Sequence, residues 1–339
     1  MIRSQLFLIL VVISIMGILL VQRPVPRGDF YLRISKEKPL FLDSLTTTEL
    51  AETKLQHGLS NVPYEIGVFG SSRNVNVNSG DLGLPNKSFF NFAVPGGTSI
   101  RWSLHILEQL SLTGHAPRAA IIMFDHAELQ VYGNPWLSPL PTRWKHAALD
   151  LKAGLDSSLI SHKDVLRMIW RYGFQEFRIF KRSFNWELLT RGILYYLGLG
   201  NNYARPAKAG EVGYARDGSR PLPADPNAKI NIIKPGLPSV IMGYLSTDLE
   251  RLAAIRNRGV RVIIYESPIH PKSAEKFELN VSPIAKRTRQ HFLAECRRFE
   301  LECHLAIPSN KLLKTKLWRD ATHPPAAFLS SYLRSLIIH

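Results

Sequence analysis

Hydrophobic and polar positions along the chain form a succession of short apolar runs and helical periods. Apolar runs at 64–70 and 118–124 predict buried strands, and the stretch 87–99 predicts a strand that runs into a Gly-Gly turn. The segment 99–114 has apolar residues at helical spacing and ends on glycine, which predicts an amphipathic helix. A strand, a turn, a helix and a strand in such short succession indicate parallel βαβ units.

The same pattern returns in the C-terminal third. Residues 246–259 predict a helix with a Ser or Thr cap, and the apolar run after it, VRVIIYE, predicts another buried strand. A helix, a strand and a last helix follow in SPIAKRTRQHFLAECRRFE, LECHLAI and PPAAFLSSYLRSLII. We therefore expect a three-layer αβα domain with a five-stranded, mostly parallel, doubly wound sheet.

The N-terminus begins with an uninterrupted apolar run from Leu6 to Val21. The run is slightly shorter than the span of about 20 residues that crosses a bilayer. Its length fits either a cleaved signal peptide or an uncleaved anchor. No small-x-small cleavage site follows it, which favours a signal anchor, a transmembrane helix at 1–24. Arginines flank the run on both sides, so their charges leave its orientation open.

The remainder divides into a connector at 25–60 and an α/β domain at 61–339. The connector is rich in proline at first and then contains a predicted short helix in TTTELAETKLQ. A helical and loop insertion at about 130–237 interrupts the domain; its first part is rich in aromatic and basic residues, and its second part is rich in Gly, Pro and Asn. A loop of that length is usually a lid, a binding loop or disordered.

The charge of the chain favours an anionic partner. Lys and Arg number 43 against 27 Asp and Glu, a formal net charge of +16, which suits a nucleic acid, an anionic membrane surface or an acidic polymer. The sequence has no zinc-spaced Cys/His cluster, Walker loop or RNP-type motif. We therefore expect no nucleic-acid partner, no metal and no nucleotide cofactor.

The chain has two cysteines, Cys296 and Cys303. They form one disulfide if the chain reverses between them, or remain two buried thiols. With 339 residues and 45% hydrophobic content, the chain buries a core without a disulfide framework.

Polar groups suited to catalysis follow the predicted strands, where parallel sheets bind their ligands. Four segments stand there: GSSR, NFAVPGG and FDHAE after the first three strands, and RDATHPP before the last helix. A serine nucleophile needs an imidazole to take its proton and a carboxylate to orient that imidazole. Ser72, His323 and Asp320 can supply these groups. The alternative is a plain turn at GSS and a helix cap at Asp320 or Thr322.

Taken in order, these segments resemble the motifs of the SGNH, or GDSL-type, hydrolase superfamily: a GDS block, an N-x-G-x-x-G block, a G-x-N-D block and a terminal D-x-x-H. The resemblance spans nearly all of 64–339. It implies an SGNH-like fold with Ser72 as nucleophile, Asp320 as orienter and His323 as base. The N–H groups of Ser72 and Gly96 then form the oxyanion hole.

The match of the middle blocks is uneven. Asn91 falls on the asparagine of the second block, whereas Ala127 stands where the third block carries its oxyanion asparagine. Loss of such a donor costs about 10²- to 10³-fold in rate. The possible pocket residues are Arg73, Asn91, Asp125, His126 and His270.

With its GSS variant and its N-terminal anchor, the chain resembles the membrane-anchored branch of this superfamily, whose members modify cell-envelope polymers. This resemblance implies an extracytoplasmic serine acyltransferase or esterase at the cytoplasmic membrane. Its partners are then an anionic or acylated envelope polymer or glycan and, through the N-terminal helix, membrane lipid. The alternative is a non-catalytic envelope polymer-binding protein with a degenerate SGNH fold.

Overall fold

A computed structural model of the chain describes residues 40–42, 47–96, 100–124, 204–206, 214–215, 217–220, 242–271, 283–305, 318–320 and 323–338, with four single positions between 148 and 170. The predicted anchor at 1–24, most of the insertion at 130–237, and Asp125, His126 and Ala127 lie outside the described residues. Within the described part, no helix combines the length and the apolar character needed to cross a bilayer.

Five strands form the central sheet: β2 (Ile66–Phe69), β3 (Phe89–Asn91), β4 (Ala119–Phe124), β6 (Arg261–Glu266) and β7 (Glu302–His304). Their order across the sheet is β3-β2-β4-β6-β7, and every neighbouring pair is parallel. The predicted α/β class with a five-stranded parallel sheet is confirmed. Two short strands, β1 (Leu40–Leu42) and β5 (Ala204–Pro206), pair antiparallel in a separate sheet.

Helices connect and cover the strands of the central sheet. Their bounds are α1 (Thr47–Leu59), α2 (Ser79–Leu82), α3 (Ile100–Leu112), α4 (Met242–Arg256), α5 (Pro283–Arg298) and α6 (Ala326–Ile338).

The order of the strands creates a crevice at the carboxyl end of the sheet. The chain passes from β2 outward to β3 and then returns to β4 on the other side of β2. The loops that leave β2 and β4 therefore diverge, and in sheets of this order ligands bind at that point. Ser72 follows β2 directly.

The core lies on both faces of the sheet. Along β4, Ile122 and Phe124 pack in one apolar cluster with residues of α1, α3, α4 and α5, whereas Ile121 and Met123 pack in another with residues of α2 and α6. Because successive side chains of a strand point to opposite faces, a strand covered on both faces has an almost continuous apolar sequence. This is why the strands were recognisable in the sequence.

Helix α1 is part of this core. It lies in the stretch 25–60 that was predicted as a connector, but Leu50, Ala51 and Leu55 are buried in the same cluster as α3 and the sheet. Helix α1 therefore packs as part of the folded domain.

A disulfide between Cys296 and Cys303 joins the last turn of α5 to β7, with Cα atoms 6.2 Å apart. The chain does reverse between the two cysteines, since Glu300 takes a positive φ of 51° in the turn that leads into β7.

We expect replacement of both cysteines by alanine to lower the free energy of unfolding by about 2 kcal/mol, because the crosslink closes only a short loop. Urea unfolding of the full-length chain in detergent measures the change. Dithiothreitol should shift the wild-type midpoint toward that of the variant and leave the variant unchanged. A wild-type midpoint that does not respond to the reductant contradicts a stabilising disulfide.

Candidate active site

The turn after β2 presents one of two adjacent serines. At Gly70 the backbone has φ +144°, and a Cβ there would lie 2.7 Å from the Cβ of Met123, so a glycine is needed where the chain leaves the sheet. The N–H of Asn74 donates to the carbonyl of Ser71 at 3.0 Å and closes the turn. Ser71 is buried at 1% exposure, whereas Ser72 is only partly buried. Ser72 is therefore the serine that a substrate can reach.

Ser72, His323 and Asp320 form one hydrogen-bonded chain. The Ser72 Oγ lies 2.8 Å from His323 Nε2, across 251 positions of sequence. The His323 Nδ1 lies 2.7 Å from Asp320 Oδ2. The tautomer with its proton on Nδ1 satisfies both contacts, since Nδ1–H donates to the carboxylate and Nε2 accepts from the serine hydroxyl. This is the arrangement in which an imidazole can remove the proton of a serine.

The carboxylate of Asp320 also fixes the backbone of the histidine. Its Oδ1 accepts the His323 N–H at 3.0 Å, while Oδ2 accepts the ring N–H. Both oxygens therefore bind His323. The exposed fraction of the side chain is 38% for Asp320 and 19% for His323, so the site is open to solvent on the carboxylate side.

The last helix holds His323 at the crevice. Two prolines separate His323 from α6, and the carbonyl of Pro325 accepts the N–H of Leu329 at 3.0 Å. Leu329 and Leu333 are fully buried against the sheet in the cluster that contains Ile121 and Met123. The position of the imidazole therefore depends on the packing of an entire helix.

Asn74 stabilises the serine turn through hydrogen bonds on its buried side. Its Nδ2 donates to the carbonyl of Phe69 at 2.9 Å, and its Oδ1 accepts a short hydrogen bond from the hydroxyl of Tyr265 on β6. Asn74 is fully buried. No motif marks either residue: Tyr265 carries the hydroxyl within the apolar run VRVIIYE, and Asn74 is an asparagine two positions after Ser72.

Asn91, a predicted pocket residue, is turned into the protein. Its Nδ2 donates to the carbonyls of Asn74 and Val77 at 2.7 and 2.8 Å, and its Oδ1 accepts the N–H of Ala93 at 2.9 Å. The side chain is fully buried. Asn91 therefore braces the loop that carries Ser72 and does not line the crevice.

The loop after β3 runs beside the serine turn. The N–H of Val94 donates to the carbonyl of Gly70 at 2.8 Å, and Gly96 follows two residues later, exposed and with φ +80°. Among the described residues, neither the Ser72 N–H nor the Gly96 N–H donates a hydrogen bond within the protein. Within the described part of the chain, no backbone acceptor therefore occupies either N–H group.

The remaining predicted pocket residues differ in position. The ring of His270 stands edge-on to that of Trp318 at 5.2 Å, so His270 lies beside the segment that carries Asp320. Arg73 is buried at 6% exposure. Asp125 and His126 lie outside the described residues. In the described part of the chain, no three His, Cys, Asp or Glu side chains form a group that could hold a metal ion.

Neither a known protein-family model nor a curated protein matches this chain in sequence. The chemistry of the site therefore has to follow from its geometry.

We expect Tyr265→Phe to lower the free energy of unfolding by about 1–3 kcal/mol, because it leaves the buried Oδ1 of Asn74 without the hydroxyl that donates to it. Urea unfolding measures the loss. The control is Tyr332→Phe, whose ring lies 5.9 Å from that of Tyr265; we expect a change within about 0.5 kcal/mol. Equal losses in the two variants would show that Asn74 does not need the hydroxyl.

Proposed function

We propose that the protein is a serine acyl-transfer enzyme, an acyltransferase or an esterase with an SGNH-like fold. The observation that carries this proposal is the hydrogen-bonded chain from Ser72 through His323 to Asp320 at 2.8 and 2.7 Å. A hydrogen-bond network that only stabilises the fold does not require its serine hydroxyl to be exposed, whereas a nucleophile must be accessible to the substrate. The five-stranded parallel sheet and the terminal D-x-x-H support the SGNH-like assignment.

In the acylation step, His323 Nε2 takes the proton of Ser72 while Oγ attacks the carbonyl carbon of an ester. The carbonyl oxygen becomes an oxyanion, and the N–H groups of Ser72 and Gly96 donate hydrogen bonds to it. Asp320 holds the imidazole and stabilises its positive charge. The C–O bond of the ester then breaks, and the imidazolium gives its proton to the leaving alkoxide.

In the second step the acyl group leaves Ser72. His323 takes a proton from an acceptor hydroxyl, whose oxygen attacks the acyl carbon, and the same proton returns to the Ser72 Oγ as that bond breaks. A sugar hydroxyl as acceptor gives transfer, and water gives hydrolysis. The resemblance to the anchored branch supports transfer to or from an envelope glycan or polymer.

We also propose that the catalytic domain lies outside the cytoplasmic membrane, in the periplasm or at the cell surface. The disulfide between Cys296 and Cys303 supports this location, since disulfides persist in oxidising compartments. The apolar run near the N-terminus would supply the membrane anchor. The net charge of +16 suits a substrate that carries negative charge.

We expect the full-length chain in detergent to hydrolyse p-nitrophenyl acetate, and Ser72→Ala to lower kcat by about 10⁴-fold or more. Asp320→Asn should lower kcat by about 10⁴-fold, because the amide no longer accepts from the ring N–H and the wrong tautomer is held. Initial rates corrected for spontaneous hydrolysis measure both effects.

The matched control is Ser71→Ala, which removes the buried neighbouring hydroxyl and should retain activity of the wild-type order. A fluorophosphonate should label the wild type on the peptide that contains Ser72 and leave Ser72→Ala unlabelled. Equal hydrolysis by wild type and Ser72→Ala, with no label on that peptide, would favour the non-catalytic polymer-binding alternative.

A further inference from the structure

Lys54 on α1 is a fully buried lysine whose ammonium contacts three backbone carbonyls. Its Nζ donates to the carbonyls of Asn91, Ala93 and Gly218 at 2.7, 2.6 and 3.0 Å. A protonated lysine has three N–H donors and no acceptor, so the three carbonyls use all of its donors. The proposed reaction, as described above, does not use this residue.

Two of these carbonyls belong to peptide groups that also bind β2. The carbonyl of Asn91 and the N–H of Phe92 form one peptide group, and that N–H donates to Val68 at 2.7 Å. The carbonyl of Ala93 and the N–H of Val94 form the next such group, and that N–H donates to Gly70 at 2.8 Å. Each peptide is therefore held between Lys54 on one side and β2 on the other.

The ammonium of Lys54 lies at the edge of the sheet, where a sixth strand would otherwise pair with β3. In the described part of the chain, β3 is an edge strand of the central sheet, and Asp217 and Gly218 lie along its outer side. The N–H of Asn91 donates to the carbonyl of Asp217 at 2.7 Å, and Lys54 supplies the donors for the outward carbonyls. At Gly218, with φ +75°, a Cβ would lie 2.5 Å from the carbonyl oxygen of Asn91, so only glycine fits this cover.

We propose that Lys54 is a positioning residue for the acyl-transfer reaction: its ammonium holds the backbone of 91–94 against β2 and so fixes Gly96 beside Ser72. The catalytic part of this inference rests on the proposed function. The clamp itself rests on the contacts of Lys54 alone.

The charge state of the clamp responds to pH. Burial lowers the pKa of Lys54 from 10.5 to about 7, and the charge of Asp217 opposes that shift. The aromatic ring of Tyr214 lies 5.2 Å from Nζ, with the guanidinium of Arg220 5.6 Å from the same ring. Deprotonation leaves two N–H donors for three carbonyls, so the clamp loosens as pH rises through that value.

Stability and activity then respond to pH in opposite directions. Between pH 7 and 10.5 the unfolded chain holds the proton of Lys54 and the folded chain does not, so the contribution of Lys54 to the free energy of unfolding rises with pH. Activity falls over the same range if the protonated clamp positions Gly96. A lysine that only stabilises the fold would not make the free energy of unfolding and the activity change in opposite directions with pH.

Hydrogen exchange on the full-length chain tests the clamp without reference to catalysis. In Lys54→Met, peptides that contain the N–H groups of Phe92 and Val94 should lose protection at neutral pH, because the carbonyls of Asn91 and Ala93 in the same peptide groups have lost the ammonium. Lys87→Met changes an exposed lysine just before β3 and should leave these peptides as in the wild type. Unchanged protection in Lys54→Met overturns the clamp.

The pH dependence of p-nitrophenyl acetate hydrolysis tests the catalytic part. We expect kcat of the wild type to fall as pH rises above about 7, and kcat of Lys54→Met to be lower by about 10- to 100-fold with little change in KM and no alkaline fall. Tyrosines do not explain such a fall, since burial raises the pKa of Tyr214 and raises that of Tyr332 to about 12. If Lys54→Met does not fold, the wild-type profile and Lys54→Gln serve instead.

A wild-type kcat and pH profile in the folded variant overturns the positioning role. Absence of any Ser72-dependent hydrolysis in the wild type instead overturns the proposed function, and the exchange experiment still decides the clamp.

Discussion

The hydrogen bonds by which β2 holds the chain beyond the end of β3 are the interaction on which the site depends. The parallel register of β2 with β3 continues through the N–H groups of Phe92 and Val94, which donate to Val68 in β2 and to Gly70 directly after it. Because both loops leave the sheet at its carboxyl edge, the serine turn and the Gly96 loop lie side by side before any side chain acts. The third group, His323, comes to the same edge only because α6 packs on the sheet.

Three buried polar side chains lie beneath the serine turn, and each has hydrogen-bond partners. Asn74, Asn91 and Lys54 are fully buried, and each is bonded to backbone carbonyls. A buried polar group without a partner costs about 1–3 kcal/mol, so each of these side chains disfavours any arrangement of the loops that breaks its bonds. Leucine or methionine at the same positions would fill the volume without selecting one arrangement. The polar network therefore specifies the site more than it stabilises the fold.

The sequence revealed the apolar part of this molecule better than its polar part. The runs at 64–70 and 118–124 correspond to β2 and β4, because strands covered on both faces are almost wholly apolar. In the stretch 87–99, which was predicted as a strand that runs into a Gly-Gly turn, the strand ends at Asn91, and Phe92 and Val94 then bind Val68 and Gly70 without regular strand geometry. The helix predicted in TTTELAETKLQ is present as α1, but it was placed in a connector, whereas Leu50, Ala51 and Leu55 pack in the core. The approach of His323 to Ser72 was expected from the order of the segments, whereas the inward turn of Asn91 was not, because a motif gives a residue type and no direction.

Asp320 is partly exposed, so a large substrate that covers the site would change the surroundings of its carboxylate more than a small one. The attraction between a carboxylate and an imidazolium varies inversely with the local dielectric constant, and a carboxylate that is 38% exposed is screened by water. A chain lying over the crevice would exclude that water and strengthen the support that Asp320 gives to His323 as the imidazolium forms. A small ester covers less of the carboxylate and leaves the screening in place. The geometry of the triad is thus already set in the free protein, while its electrostatics still depend on what covers it, and this fits the proposed polymer substrate better than a small one.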